Sequence, residues 1–161
     1  APYIVSRYDA STGEMIDIKN RIGILDRKLR VVGENIDSEE DWFKWTTRAF
    51  QSVYGYEYQG DSLLIGRINL LMTFVDYLDF KWHREPTEKE LKSIANIISW
   101  NLWQMDGLKG TVPVKPKEEN VQLSLMDFCE EKTEQENIAQ KCRIFDWRDN
   151  SSILFETLKE K

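Results

Sequence analysis

Apolar residues recur at helical spacing in the middle of the chain and predict its longest helix, from about residue 61 to residue 80. The stripe advances in steps of four, three, four and three residues, which places its members on one helix face. We expect that face to be buried, with Arg67 pointing away from it. The stripe consists of Leu64, Ile68, Leu71, Val75 and Leu78.

A second helix is predicted from about residue 87 to residue 97. Thr87 is followed three residues later by Glu90, and this spacing is typical of a capping box that begins a helix. Its expected buried face consists of Leu91, Ile94, Ala95 and Ile98.

Two further helices are predicted nearer the start of the chain. The segment Ile22–Val32 has helical periodicity, and Gly33 is expected to end that helix. Ser38 can cap the next helix, in which Trp42 and Trp45 recur at helical spacing. Aromatic residues in this pattern favour a core position, while stacking on nucleic acid bases is the alternative.

Short alternating segments predict the strands. Residues 3–8 and 14–18 flank a turn-forming segment and indicate an N-terminal β-hairpin. Residues 53–57 and 100–106 flank the two central helices, which indicates an open parallel sheet with helices around it. Residues 142–147 favour another strand. We therefore expect an α/β fold, with a cofactor-side part at 1–110, a flexible polar insertion at 111–141 and a terminal strand segment at 142–161.

Composition narrows the classes of function. The chain has 161 residues, is 41% hydrophobic and carries a net charge of −6, which argues against this piece alone coating nucleic acid. No apolar run is long enough to cross a membrane, and we expect a cytoplasmic location with Cys129 and Cys142 as free thiols. A single histidine, His83, disfavours histidine-rich metal sites. The start at Ala1 rather than methionine suggests an excised or processed piece.

Two of the predicted strands end in a carboxylate, Glu57 and Asp106. Ligands bind beyond the carboxyl ends of parallel strands, so we expect these two side chains to lie at one edge of the sheet and to grip a nucleoside-like ligand. The alternative is that each carboxylate merely ends its strand and caps the helix that follows.

Several blocks of the chain, in this order and spacing, resemble the large adenine-specific DNA methyltransferases of bacterial restriction–modification systems. The first is similar to the helix that accompanies their first cofactor motif, the next two to their second and third motifs, and the last to the segment before their catalytic loop. The blocks are Ile22–Val32, Ser52–Glu57 with Asp61–Leu64 and Arg67–Leu71, Ile97–Leu108, and Cys142–Arg148.

The resemblance implies a Rossmann-like sheet, as in class I methyltransferases, that binds S-adenosylmethionine and transfers its methyl group to adenine N6 in DNA. Glu57 would then accept hydrogen bonds from the ribose hydroxyls of the cofactor. Asp106 would accept one from the adenine amine, and Met105 or Leu108 would pack on the adenine ring. The glycine-rich first motif and the catalytic Asn-Pro-Pro-Tyr loop have no match in these residues, so we expect this piece to be inactive alone.

One apolar island interrupts the polar segment. Gln122, Leu123, Leu125 and Phe128 are similar in spacing to the peptide by which bacterial proteins bind the replication sliding clamp. The island could instead fold back and cover the domain. It also permits a different class of function, a non-enzymatic acidic α/β adaptor that docks on a protein partner through residues 122–128.

Overall fold

A computed structural model describes residues 4–113 and 140–158 and shows a mixed α/β fold. A membrane-crossing helix is not found among these residues. Short 3₁₀ turns lie at Ile18–Asn20 and Phe155–Leu158. The other elements are α1 (Ile24–Asn35), α2 (Glu39–Gln51), β1 (Gly55–Glu57), α3 (Gly60–Trp82), α4 (Glu88–Asn101), β2 (Leu102–Gln104), β3 (Arg143–Asp146) and β4 (Ser151–Leu154).

The two sheets each contain two strands in the described part of the chain. Strands β1 and β2 are parallel neighbours, with Gly55 opposite Leu102 and Glu57 opposite Gln104. This confirms the predicted strand–helices–strand unit. Strands β3 and β4 form an antiparallel hairpin, in which Ile144 lies opposite Ile153. No wider sheet is present among the described residues.

The predicted N-terminal β-hairpin is reduced to a turn. A single antiparallel bridge joins Tyr8 to Met15, with no regular strand on either side. The carboxylate of Asp9 holds the turn by accepting hydrogen bonds from the backbone N–H groups of Ser11 and Thr12 at 2.8 and 3.0 Å. Side-chain bonds of this kind favour turns over extended ladders.

Helix α1 does not end at Gly33, contrary to the prediction, but continues to Asn35. Gly33 is therefore an interior position of the helix. Gly23, just before the helix, has a stricter role because a Cβ atom there would lie 2.5 Å from the carbonyl oxygen of Ile4. The missing side chain lets the N-terminal segment pass directly over the start of α1.

Helix α3 buries a different face from the predicted one. Leu64 and Ile68 are 58% and 51% exposed, whereas Leu71 and Val75 are partly buried against the core and Leu78 is buried as expected. Strand β2 approaches so closely on the other side that a Cβ on Gly66 would lie 3.1 Å from the Leu102 side chain. Because α3 is apolar around most of its circumference, periodicity alone permitted more than one stripe. The buried residues of α3 are Leu63, Leu70, Thr73, Phe74, Tyr77 and Leu78.

Helices α2 and α4 begin where their capping residues predict. The Ser38 hydroxyl accepts from the backbone N–H of Asp41 at 3.5 Å, and Thr87 and Glu90 form the predicted capping box. Trp42 is buried in the core as expected. The prediction of a core position is wrong for two residues, however, because Trp45 and Ala95 are exposed.

The outer side of β2 is covered by side chains from elsewhere. The Arg67 guanidinium donates to the Leu102 carbonyl oxygen from Nε at 3.0 Å and from Nη2 at 2.8 Å. The buried Cys142 thiol lies 3.7 Å from the Gln104 carbonyl oxygen and donates to it. Both carbonyls point away from β1, since backbone groups alternate sides along a strand.

A buried ion network fastens the N-terminal segment to the far half of α3. Asp76 accepts two hydrogen bonds from the Arg7 guanidinium, at 2.7 and 3.1 Å, and a third from Arg21 at 2.8 Å. Arg7 and Arg21 are 7% and 1% exposed. The hydrogen bond that Arg7 donates to Asp76 raises the pKa of Arg7 above its ordinary value. One carboxylate therefore compensates two buried cations.

A buried asparagine joins the sheets to the helices. The Asn101 amide nitrogen lies 3.0 to 3.1 Å from the carbonyl oxygens of Phe50, Gln51 and Val53 at the end of α2. Its amide oxygen accepts from the Trp147 indole N–H at 2.7 Å. One side chain thus links α4, the entry to β1 and the β3–β4 hairpin.

Candidate functional site

Glu57 and Asp106 lie at the same edge of the parallel sheet. Glu57 is the last residue of β1 and pairs with Gln104, and Asp106 follows two residues later. The Met105 backbone N–H still donates to the Glu57 carbonyl oxygen, at 3.0 Å, so the ladder continues to the ends of both strands. The predicted placement of both carboxylates at one edge of a parallel pair is confirmed, but the predicted strand 100–106 is too long: α4 runs to Asn101, β2 is Leu102–Gln104, and Asp106 lies two residues beyond it.

Each carboxylate is oriented by the backbone of its own loop. One oxygen of Glu57 accepts from the N–H groups of the next two residues, at 2.8 and 3.2 Å. One oxygen of Asp106 accepts from the N–H groups two and three residues further on, at 3.0 and 3.2 Å. The alternative, in which each carboxylate caps the helix after it, is met only in part: Glu57 bonds to Gln59, the residue that caps α3, whereas in the described residues a turn and not a helix follows Asp106.

These backbone hydrogen bonds use only one of the two oxygens of each carboxylate. The second oxygen of Glu57 and the second oxygen of Asp106 make no hydrogen bond within the described residues. Both side chains are half-buried rather than enclosed. Within the described residues, each strand end therefore carries an oriented carboxylate oxygen that can accept from a hydroxyl or an amine.

The two predicted packing residues have very different surroundings. Met105 is fully buried, and its sulfur receives the Trp103 indole N–H at 3.5 Å, so it does not face an open ligand site. This corrects the expectation that its side chain packs on a ligand ring. Leu108 is 94% exposed and remains available for such a contact.

Sequence reasoning missed two residues of this edge. The Gln104 amide donates to the Tyr58 carbonyl oxygen at 2.9 Å and ties the two strand-end loops together. Tyr58 itself is 58% exposed beside Glu57. The alternation of side chains along a strand could have identified Gln104, since Gln104 and Asp106 are two residues apart and Met105 points to the opposite face.

The loop after Asp106 packs tightly on an aromatic cluster. A Cβ on Gly107 would lie 2.6 Å from the Tyr56 ring, so a larger residue there would have to displace that ring. Tyr56 also contacts the rings of Trp103 and Phe155, with centroids 6.2 Å away in both cases. The cluster holds the Asp106 loop against the face of the sheet.

The described residues also bear on two other kinds of site, a metal site and a reactive cysteine. Within 4–113 and 140–158 no group of three or more His, Cys, Asp or Glu side chains is placed to hold a metal ion. Burial raises the pKa of the Cys142 thiol, which disfavours a reactive thiolate. The predicted partner-binding residues Gln122, Leu123, Leu125 and Phe128 lie outside the described residues, as does Cys129.

Comparison with known proteins identifies no relative: no family model, curated protein or solved structure matches this chain.

Proposed function

We propose that this chain is the cofactor-side part of an S-adenosylmethionine-dependent, adenine-specific DNA methyltransferase, in which β1 and β2 belong to a larger Rossmann-like sheet. One observation carries the proposal. Glu57 and Asp106 lie at the same end of two neighbouring parallel strands, and each has one carboxylate oxygen that is unpaired within the described residues. Such an edge is where sheets of this kind bind nucleotide-like ligands.

The unpaired oxygens suit the donors of an adenosyl group. Hydroxyl groups of a ribose would donate to Glu57, and an exocyclic amine would donate to Asp106. Hydrogen bonds to an ionised acceptor are roughly twice as strong as neutral ones. The backbone N–H bonds fix both groups beforehand, which lowers the entropic cost of binding.

The proposed division of labour leaves the chemical step to other residues. The bound cofactor supplies the methyl group, and the target adenine must leave the duplex to reach it. The catalytic loop expected from the resemblance has no match in the 161 residues, so we assign no catalytic residue here. DNA is the proposed partner of a longer protein that includes this part.

The direct test is an NMR titration of the chain with S-adenosylhomocysteine, an unreactive analogue of the cofactor. We expect weak binding, with a Kd on the order of 1 mM, equivalent to about −4 kcal/mol. Backbone amide shifts should be confined to residues 57–60 and 104–109. Shifts elsewhere, or none at about 5 mM ligand, would contradict the proposal.

The matched variants are Glu57→Gln and Asp106→Asn. Each keeps the oxygen that the backbone uses and replaces the free oxygen with an amide nitrogen, which donates instead of accepting. Both should abolish the shifts while leaving the fold intact. Glu40→Gln, an exposed position on α2, is the control and should bind as the wild type does. Equal binding by all three variants would overturn the assignment.

A further inference from the structure

One cavity lies far from the strand ends. It has a volume of about 370 Å³ and is enclosed by the 3₁₀ turn at Ile18–Asn20, α1, α2 and the last turns of α3. Phe80 in its wall lies 20 residues beyond Gly60 at the start of α3, which corresponds to about 30 Å along the helix. We call this cavity the helix cleft. Its size falls in the range of small-molecule sites.

The floor of the helix cleft is apolar and well ordered. Leu29, Trp42 and Tyr77 line it and are 0%, 1% and 4% exposed. The Tyr77 hydroxyl is already used, because it donates to the Asp26 carbonyl oxygen at 3.2 Å. Phe80 is 47% exposed and presents ring surface at the opening. The accessible apolar surface of the helix cleft is therefore that of Phe80 and the half-buried Ile18, with the other three residues closed behind it.

The rim of the helix cleft is basic. Lys19, Arg30 and Lys81 line it, against a single carboxylate among its lining residues, Glu34. The Lys19 ammonium lies 6.0 Å from the centre of the Phe80 ring. A cation above an aromatic wall attracts an anionic group while the ring packs on the attached apolar body.

Two of these cations are held in position by backbone carbonyls. Arg30 donates to the Arg21 carbonyl oxygen at 2.6 Å, and Lys81 donates to that of Gly33 at 2.8 Å. These bonds do not neutralise charge, and each side chain keeps further N–H donors. Lys81 also contacts Asp37 at 3.5 Å, but that carboxylate is fully exposed and weakens the attraction little.

We propose that the helix cleft binds a small organic anion with a flat apolar body, such as an aromatic carboxylate or sulfonate. The apolar body packs on Ile18 and Phe80, above the buried Trp42, and the charged group lies at the rim near Lys19. The helix cleft and the strand-end carboxylates lie at opposite ends of α3, so this site is separate from the proposed cofactor site. It stands or falls independently of the methyltransferase proposal.

The test compares two dyes that share the same rings and differ in charge. 8-Anilinonaphthalene-1-sulfonate is anionic, and N-phenyl-1-naphthylamine lacks the sulfonate. Fluorescence titration should show the anion bound at least about fivefold more tightly, equivalent to about 1 kcal/mol. In NMR spectra the anion should shift amides in residues 18–19, 29–34 and 77–81.

Charge reversal at the rim locates the site. Lys19→Glu should weaken binding of the anionic dye by about threefold or more and leave the neutral dye unchanged. Lys89→Glu makes the same charge change at an exposed lysine outside the helix cleft and is the control. Phe80→Ala should weaken both dyes, because it removes apolar surface common to them.

Three outcomes would overturn the proposal. The dyes could bind equally, the two lysine variants could lose the same affinity, or the amide shifts could map outside the helix cleft, for example to exposed Leu64 and Ile68. A cooperative thermal unfolding curve for each variant separates these outcomes from loss of structure. Lys19 is exposed, so its substitution should leave the fold intact.

Discussion

The two ends of α3 are held by opposite kinds of contact. At its far half, Asp76 lies between two buried arginines that come from 69 and 55 residues away in sequence. Just before its start, Glu57 accepts hydrogen bonds from the backbone N–H groups of the next two residues and is half-exposed. The first arrangement stabilises tertiary structure, whereas the second only orients a side chain. We therefore expect stability to depend on the far half and ligand binding to depend on the start.

The largest expected effect comes from breaking the buried network. Asp76→Ala leaves Arg7 and Arg21 buried without a counter-ion and should lower the free energy of unfolding by about 3–5 kcal/mol. Urea denaturation measures this directly. Asp79→Ala removes an exposed carboxylate from the same helix and should change the free energy by less than about 0.5 kcal/mol. Similar values for the two variants would show that the network does not fasten α3.

An intermediate case lies at the start of α4. Glu90 accepts two hydrogen bonds from Arg84, at 2.6 and 3.0 Å, and one from the Thr87 backbone. The Arg84 bonds lower the pKa of Glu90 from 4.5 to about 2, so its ionised form stabilises the folded state. That contribution is complete above the unfolded pKa and is lost as the pH falls through the folded pKa.

Glu90→Gln should therefore cost on the order of 1–3 kcal/mol at neutral pH. The difference in unfolding free energy between wild type and variant should fall to less than half at about pH 3. Chemical denaturation at both pH values measures it. A difference that stays constant with pH would mean that this ion pair contributes nothing through ionisation.

A smaller effect of opposite sign is expected at Gly33. This glycine is inside α1, and an added Cβ would contact nothing within 4 Å, so Gly33→Ala should raise the free energy of unfolding by about 0.5–1 kcal/mol. Gly23→Ala is the contrasting variant and should destabilise, because its Cβ would collide with the Ile4 carbonyl. Thermal unfolding of the pair separates helix propensity from close packing.

The smallest effects are expected at the strand ends. Glu57→Gln and Asp106→Asn keep the oxygen that accepts from the backbone, so each should change the free energy of unfolding by less than about 0.5 kcal/mol. Urea denaturation of the double variant should show a change in the free energy of unfolding that equals the sum of these two small changes. A loss of unfolding free energy above about 2 kcal/mol would contradict the contrast between the two ends of α3, since it would mean that these carboxylates stabilise the fold.

Local chemistry explains which features the sequence predicts. The starts of α2 and α4 depend on a hydroxyl at Ser38 and on the pair Thr87 and Glu90, all within three residues of the bonds they make. The shared edge of Glu57 and Asp106 follows from the handedness of crossover connections between parallel strands. Each of these conclusions needs only neighbouring residues or a general rule of topology.

Features that depend on distant partners could not be predicted in the same way. The buried face of α3 is selected by the approach of β2 to Gly66, because apolar residues lie on several sides of that helix. Arg7 and Arg21 look like ordinary surface residues until Asp76 is brought between them. Met105 was assigned to the ligand edge although alternation with Asp106 places it on the opposite face.

The covering of β2 by Arg67 and Cys142 favours extension of the parallel sheet in one direction. An incoming strand on that side would find the Leu102 carbonyl occupied by a guanidinium and the Gln104 carbonyl facing a thiol. Among the described residues, no strand pairs with β1 on its other side. An added strand would therefore pair more readily beside β1, and the contacts of Arg67 and Cys142 disfavour edge-to-edge pairing of copies through β2.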